Sequence, residues 1–385
     1  MNYQTKRPKM LDTVVLTIPK EKMRTLDPAQ TRTPAWNLHS RTPNYEKYVK
    51  NPTADYKHRG IYQPRLTGFK RHIRGQIYNS FIKIEFSVPK LIFGNNLAEV
   101  EEKDFPKVIE TLHTRLLEMG VVIPKSELQS APVSVLHPSK NIILSDGYTA
   151  SLVAKELSKI NLNKKFDLSK TSFRNDGQSL QGYTIAHSVI FYDKIADLSQ
   201  NKKRAIDKDP TAEQLSLFAV IKKEQPSLEV LRMEIRLSQK QKLNSVLVKL
   251  GFKKDPTFKD VFRKDVCQKI VQFYWATLIK GENLFLFEVS TGPKQLLKTI
   301  LKKHPKLRAK EAIYFVGLSL LCKDEGGIRD LRQLLAGRLT QRNWYRVSDG
   351  IKQLNKRTNK KAVHGWVNQI ETTLNKFESY KTRAP

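Results

Sequence analysis

Leu11 to Ile18 reads LDTVVLTI, a β-branched run closed by Pro19, and predicts a strand. Phe81 to Val88, FIKIEFSV, alternates apolar and polar positions with period two and predicts a half-buried strand ended by Pro89. Between them, residues 24–80 show little periodicity and are rich in Pro, Arg, Asn, Tyr and Thr, which reads as a long loop region with room for one hairpin. Apolar residues at 108, 109, 112, 116 and 117 predict a helix over Phe105–Met119, stopped by Gly120. Short strands over 121–123 and 133–137, a helix over 150–160, and strands over 189–192 and 228–237 follow. The polar, charged segment 199–227 reads as a loop with one short helix.

From about residue 240 the period changes to that of helices: 239–250, 258–280, 293–302, 308–323, 328–336, 341–356 and 361–379. Gly251, Gly281, the Gly326-Gly327 pair and Gly337 are the stops. The expectation is therefore an α+β chain. Residues 1–245 form a mainly antiparallel sheet with flanking helices and a basic N-terminal region, and 246–385 form an all-helical domain.

Composition sharpens this picture in one respect above all. The 385 residues carry 69 Lys and Arg against 37 Asp and Glu, a formal net charge of +32 spread over both ends of the chain. Self-repulsion of that size favours a polyanionic partner, and nucleic acid is the expected one. At 39% hydrophobic residues there is enough apolar surface for a real core. Two cysteines, Cys267 and Cys322, exclude a disulfide framework or a Cys-rich zinc site. No apolar window reaches the length of a membrane span, and no signal-peptide core follows the basic opening, so no membrane partner and a cytoplasmic location are expected.

Candidate chemistry sits at strand ends. Phe191-Tyr192-Asp193-Lys194 closes the Val189-Ile190 run, and a Tyr and a Lys two apart on a strand share a face. A tyrosine ionising near 10 needs a neighbouring cation or metal to act as a nucleophile, and the plain alternative is a core-edge Tyr beside a solvated Lys. In Leu231–Leu237 the polar face is Arg232, Glu234 and Arg236, either an ion-pair ladder or a metal or phosphate site. His137 closes a short strand, and Glu85 shares a face with Lys83 opposite the apolar side of its strand; both are candidate metal ligands beside ordinary structural roles. The chain has no GxxxxGK[ST] loop, no GxGxxG and no CxxC, which argues against a nucleotide-hydrolysing motor.

Residues 328–356 have the layout of a helix-turn-helix. Ile328, Leu331, Leu334 and Leu335 form one apolar face, Gly337 makes a turn, and Thr340 is a good N-cap. Trp344, Val347, Ile351 and Leu354 form the stripe of the second helix. Gln341, Arg342, Asn343 and Arg346 then lie in its first turns, with side chains suited to adenine and guanine edges or phosphates. A solvated helical hairpin is the plain alternative.

The order of these segments resembles the replication initiators of filamentous phages, the gene II protein family, and related phage and plasmid replication proteins. Met10 to Leu16 with Ile18-Pro19 is similar to that family's opening strand, and Phe86-Ser87-Val88-Pro89-Lys90 through Gly94-Asn95-Asn96 to a second stretch. Tyr192 stands where the family has its nucleophilic tyrosine, Arg232-Met233-Glu234 matches its Arg-x-Glu strand, and Lys310 to Leu354 follows its order of helices, with Trp344-Tyr345-Arg346 at the matching point. Where the family carries Arg-x-Asp, this chain has Val135-Leu136-His137, and region 24–80 has no counterpart.

The resemblance implies a site- and strand-specific DNA endonuclease and strand transferase that starts rolling-circle replication. Tyr192 would attack one phosphodiester of duplex origin DNA, keep the 5′ end as a phosphotyrosine and release a 3′-OH on the nicked strand. Mg²⁺ or Mn²⁺ held by His137, Glu234 and Glu85 would polarise the phosphate, Lys194 would offset charge, and the host helicase and polymerase would be partners. A non-catalytic DNA-binding protein on the same scaffold, a repressor or origin-recognition factor, is the alternative. An RNA-binding protein would instead show exposed stacking aromatics.

Overall fold

The computed structural model describes residues 11–27, 35–52, 55–56, 59–73, 76–160, 172–174, 179–198, 219–221, 223, 227–280, 283–289, 292–357 and 362–378. The expected loop 199–227 lies almost wholly outside these residues.

Twelve described strands are β1 Leu11–Pro19, β2 Arg24–Thr25, β3 Asn37–Thr42, β4 Tyr45–Lys50, β5 Arg65–Ile73, β6 Gln76–Ser87, β7 Val121–Val122, β8 Val133–Leu144, β9 Ser172–Arg174, β10 Ser179–Tyr183, β11 His187–Asp193 and β12 Glu229–Leu237. Ten of them form one sheet in the order β3-β4-β5-β6-β1-β8-β12-β11-β10-β9, with every described neighbour antiparallel. Strands β2 and β7 pair separately. The coarse expectation of an α+β chain built on a large antiparallel sheet holds.

The α-helices described are α1 Val88–Phe93, α2 Phe105–Glu118, α3 Lys125–Ser130, α4 Ala150–Leu157, α5 Lys194–Leu198, α6 Lys240–Lys249, α7 Phe258–Val261, α8 Lys264–Trp275, α9 Pro293–Lys303, α10 Ala309–Lys323, α11 Gly327–Leu335, α12 Gln341–Arg357 and α13 Gly365–Lys376. Helix α2 buries Val108, Ile109, Leu112 and Leu116, the stripe its spacing predicts. The single helix expected over 258–280 is broken. A Thr257–Asp260 capping box starts α7, and the chain turns at Phe262, whose ring packs 4.9 Å from Phe105 and 5.6 Å from Phe258. Burying that ring outweighs the backbone bonds lost at the break.

Region 24–80 departs most from expectation. It holds β3, β4, β5 and the first half of β6, an arm of four strands rather than a loop with one hairpin. Both faces of its outer part are partly exposed, so Lys, Arg and Tyr fill positions that a buried strand would give to Val or Ile, and the period-two signal disappears.

Residues directly opposite on paired strands share a face. On one face of the sheet Val14, Leu16, Ile18, Ile82, Ile84, Phe86, Leu136, Ile142, Phe191, Met233 and Ile235 are buried. The same apolar cluster continues into the helices, through Tyr274, Trp275 and Trp366 to Phe377. His187 Nδ1 lies 2.7 Å from the Tyr274 hydroxyl, and the Phe191 and Trp275 rings meet edge to face at 6.4 Å. The helices after residue 246 thus share their core with the sheet. The other face is polar: Thr13, Glu85, His137, Tyr192, Glu234 and Arg236 project from it. Among the described residues no helix is long and apolar enough to cross a membrane.

Candidate active site on the polar face

Strand β12 is the spine of the site, because its alternation sends Leu231, Met233, Ile235 and Leu237 into the core and Arg232, Glu234 and Arg236 to the other face. Register places Tyr192 of β11 directly opposite Arg232, and Ser139 of β8 opposite Glu234. The Tyr192 hydroxyl donates to Glu234 Oε2 at 3.3 Å. Arg236 Nε donates to Glu234 Oε1 at 2.7 Å, and His137 Nδ1 stands 3.7 Å from the same oxygen. Glu234 is 2% exposed, whereas the Arg236 side chain is 40% exposed and offers a free edge to an incoming anion.

Arg232 is fixed from three sides. Its guanidinium donates to Asp12 Oδ1 at 2.9 Å, to Ser139 Oγ at 2.8 Å and to the Asn96 carbonyl at 2.5 Å. Two local features supply those acceptors. A bulge between Leu11 and Thr13 re-aims Asp12 towards β12, two strands away. Gly94 ends α1 in the left-handed region at φ 66°, and Asn95 Oδ1 then accepts the Leu97 and Ala98 amides, a turn that leaves the Asn96 carbonyl facing Arg232. Asp12 and Asn96 were missed in the sequence. Both lie in the stretches that carry the family resemblance, and Asp12 is also a carboxylate inside an otherwise β-branched run.

Lys194 corrects the expectation that it continues the strand on the face of Tyr192. The strand ends at Asp193, and Lys194 opens α5, where its fully buried ammonium pairs with Asp197 at 2.9 Å and lies 5.4 Å from the Tyr192 ring centroid. Burial pushes its pKa down, opposed by Asp197. Burial also pushes the Tyr192 phenol well above 10; Arg232 opposes this, and Glu234, Asp197 and Asp12 add to it. Glu234 goes the other way. Burial disfavours its charge, but Arg236, His137 and Arg232 together hold it down to about 2. The resting site therefore pairs a neutral phenol with an ionised carboxylate.

A resident divalent metal does not fit these donors. The structure brings His137 and Glu234 together but leaves Glu85 apart: it lies on β6, opposite Val15 and Arg65, three strands from β12 or roughly 14 Å at ordinary strand spacing. Glu234 Oε1 already carries Arg236, and the nearby Asp12 carries Arg232. Two guanidinium groups stand where a cation would need negative charge. No group of three or more His, Cys, Asp or Glu able to hold a metal occurs among the described residues.

The second candidate region is the α11–α12 hairpin. The Asn343 amide donates to Thr340 Oγ1 at 3.3 Å, the N-cap its sequence predicts. Trp344, Ile351 and Leu354 are buried and Val347 is half-buried, while Arg342, Tyr345 and Arg346 are exposed and Asn343 is half-exposed. The side chain of Gln341 lies outside the described residues. Leu334 corrects the expected stripe of α11: it is 76% exposed, one turn after buried Leu331. Arg332 lies over the Trp344 ring at 5.4 Å and ties the two helices together. Compared with known proteins, the chain matches no family model, no curated protein and no solved structure.

Proposed function

We propose that the chain is a DNA strand-cleaving protein that nicks through Tyr192, in the manner of a rolling-circle replication initiator. The observation that carries the reading is the Tyr192 hydroxyl directed at Glu234 between Arg232 and the partly exposed Arg236, on the polar sheet face of a chain with net charge +32.

A phosphodiester docked on the exposed edge of Arg236 would draw that guanidinium away from Glu234. Losing part of its counter-charge raises the proton affinity of Glu234, and the carboxylate 3.3 Å from the phenol then takes its proton as the oxygen attacks phosphorus. The new bond is tyrosine oxygen to phosphorus. The bond broken is phosphorus to the 3′ oxygen, which leaves as a 3′-OH after taking a proton from water. Arg236 offsets charge on the non-bridging oxygens, and Arg232 holds the strand face on which Tyr192 and Glu234 meet. Lys194, beneath the tyrosine, acts as a positioning residue. The exposed Arg342 and Arg346 would hold duplex DNA beside the cleaved strand.

A second reading has its own observation. Arg236–Glu234 at 2.7 Å and Arg232–Asp12 at 2.9 Å are a self-compensated ladder, which a non-catalytic DNA-binding protein would also need. Incubation with negatively supercoiled DNA, protease digestion of the protein and sequencing of the DNA-linked peptide separate the two. A covalent adduct at Tyr192, absent in Tyr192→Phe, is expected. No adduct on supercoiled or single-stranded DNA, with Mg²⁺, Mn²⁺ or chelator, would overturn the cleavage reading in favour of the second.

A further inference from the structure

The β4–β6 arm carries a cation cluster that the cleavage site does not use. Lys47, Phe69 and Phe81 lie opposite one another across β4, β5 and β6. Register through Thr17 opposite Lys83 and Thr13 opposite His137 puts them on the same face as His137 and Glu234. The Phe69 and Phe81 rings are half-exposed and stack with centroids 5.2 Å apart and planes 21° apart. Lys83 Nζ lies 5.5 Å from the Phe69 centroid, and Arg71 Cζ lies 5.5 Å from the Phe81 centroid.

Lys47, Arg71 and Lys83 make no ion pair among the described residues. On the opposite face Lys70, by contrast, has Glu46 at 3.9 Å. Burial lowers the Lys83 pKa, and repulsion from Arg71 and Lys47 lowers it further. Three cations gathered around one ring pair, none of them in an ion pair among the described residues, are a cost to the free protein that a bound polyanion would offset.

We propose that this cluster is a platform for single-stranded DNA, with phosphates on Lys47, Arg71 and Lys83 and unpaired bases against the Phe69–Phe81 stack. The choice of a single strand follows from the rings: a duplex keeps its base faces stacked inside, whereas an unpaired base can lie on an aromatic side chain. By strand spacing and rise the platform lies on the order of 30 Å from Tyr192 across the same face, so it would hold a strand released by nicking. The inference rests on the strand-cleavage reading for the identity of its polyanion.

The test is binding of a fluorescent oligothymidylate and of a duplex of equal length by the full chain, over a salt series with chelator present. In Lys47→Gln/Arg71→Gln/Lys83→Gln the slope of log affinity against log salt for the single strand should fall by about 2, at about 0.7 for each phosphate contact. In Phe69→Leu/Phe81→Leu single-strand affinity should drop about tenfold with the slope unchanged. Lys70→Gln, on the other face, should match wild type, and duplex binding should be unaffected by the arm variants. Unchanged single-strand binding by the folded triple variant, or equal loss for duplex and single strand, overturns the proposal. Thermal melts check folding, and should the triple variant not fold, Lys47→Gln alone should lower the slope by about 0.7. Tyr192→Phe should bind the single strand as wild type does. A wild-type chain that forms no adduct yet binds the single strand counts against cleavage at Tyr192 and leaves the platform standing.

Discussion

Glu234 is the residue on which both readings of the site turn, because its charge is needed whether it takes a proton or holds a ladder. Its carboxyl is depressed to about 2, so the stability it contributes is present above its ordinary value near 4.5 and is lost as pH falls from there towards 2. Glu234→Gln should therefore be less stable than wild type by roughly 3 kcal/mol near neutral pH, with the gap closing in that acid window. Denaturant melts of both proteins over a pH series measure this; a gap independent of pH would mean the charge is not what stabilises the face. Activity separates the roles: as proton acceptor, Glu234→Gln should lose adduct formation in protein that is still folded, whereas a ladder residue should leave adduct yield per folded molecule unchanged. Metal gives a further check. Because Arg236 already occupies Glu234 Oε1, millimolar Mn²⁺ or its removal by chelator should shift the melting midpoint by less than 1 °C, whereas binding at 100 times its Kd would stabilise the fold by about 2.7 kcal/mol.

At the scale of elements, the α11–α12 hairpin presents two exposed arginines one turn apart, and if it grips duplex DNA as proposed their positions would give them different work. Arg342 lies in the first turn of α12, which sits deepest when such a helix enters a major groove, so it is matched to a base edge. Arg346, a turn further out, is matched to phosphate. Arg342→Ala should cost about 1–3 kcal/mol on a preferred duplex and little on scrambled sequence. Arg346→Ala should weaken all duplexes alike and lower the salt slope by about 1. If neither changes affinity at any salt, the hairpin is structural. The helices were legible because burial on one side imposes a period: Trp344, Val347, Ile351 and Leu354 are spaced as they pack. So were β1, β11 and β12, where one face is mostly apolar. The arm β3–β5 was not, since strands exposed on both faces lack alternation, nor was the exposure of Leu334 at the hairpin's open end. At the site, Tyr192 opposite Arg232 and beside Glu234 follows from strand pairing that a sequence suggests. The bulge that turns Asp12 and the Asn95 turn that aims the Asn96 carbonyl depend on contacts between segments remote in the chain.

At the scale of the molecule, one polar contact joins the sheet to the C-terminal end of the helical layer. Lys140 on β8 is fully buried; its ammonium pairs with Glu99 at 2.9 Å, donates to the Glu378 carbonyl, and lies 5.4 Å from the Phe377 ring centroid. Glu99 also accepts the Asn141 amide at 2.7 Å, and Asn141 Nδ2 donates to the Leu97 carbonyl at 2.9 Å. Segment 97–99 thereby takes the edge of β8 beyond Pro138, where pairing with β1 ends, and the chain that leaves α13 closes over the same lysine. A buried ion pair contributes little net stability over an apolar replacement, but removing one partner leaves the other uncompensated and costs about 3–5 kcal/mol. Lys140→Met should therefore destabilise the whole chain by that amount, and Lys140→Met with Glu99→Gln should recover much of the loss. Because the apolar cluster runs unbroken from Leu11 to Phe377, the sheet and the C-terminal helices should melt together in wild type and in Lys140→Met. Hydrogen exchange read separately on β8 and α13 tests this. If α13 opens in Lys140→Met while β8 keeps its protection, the lysine is a local latch on the last helix, and the shared apolar surface alone holds the sheet.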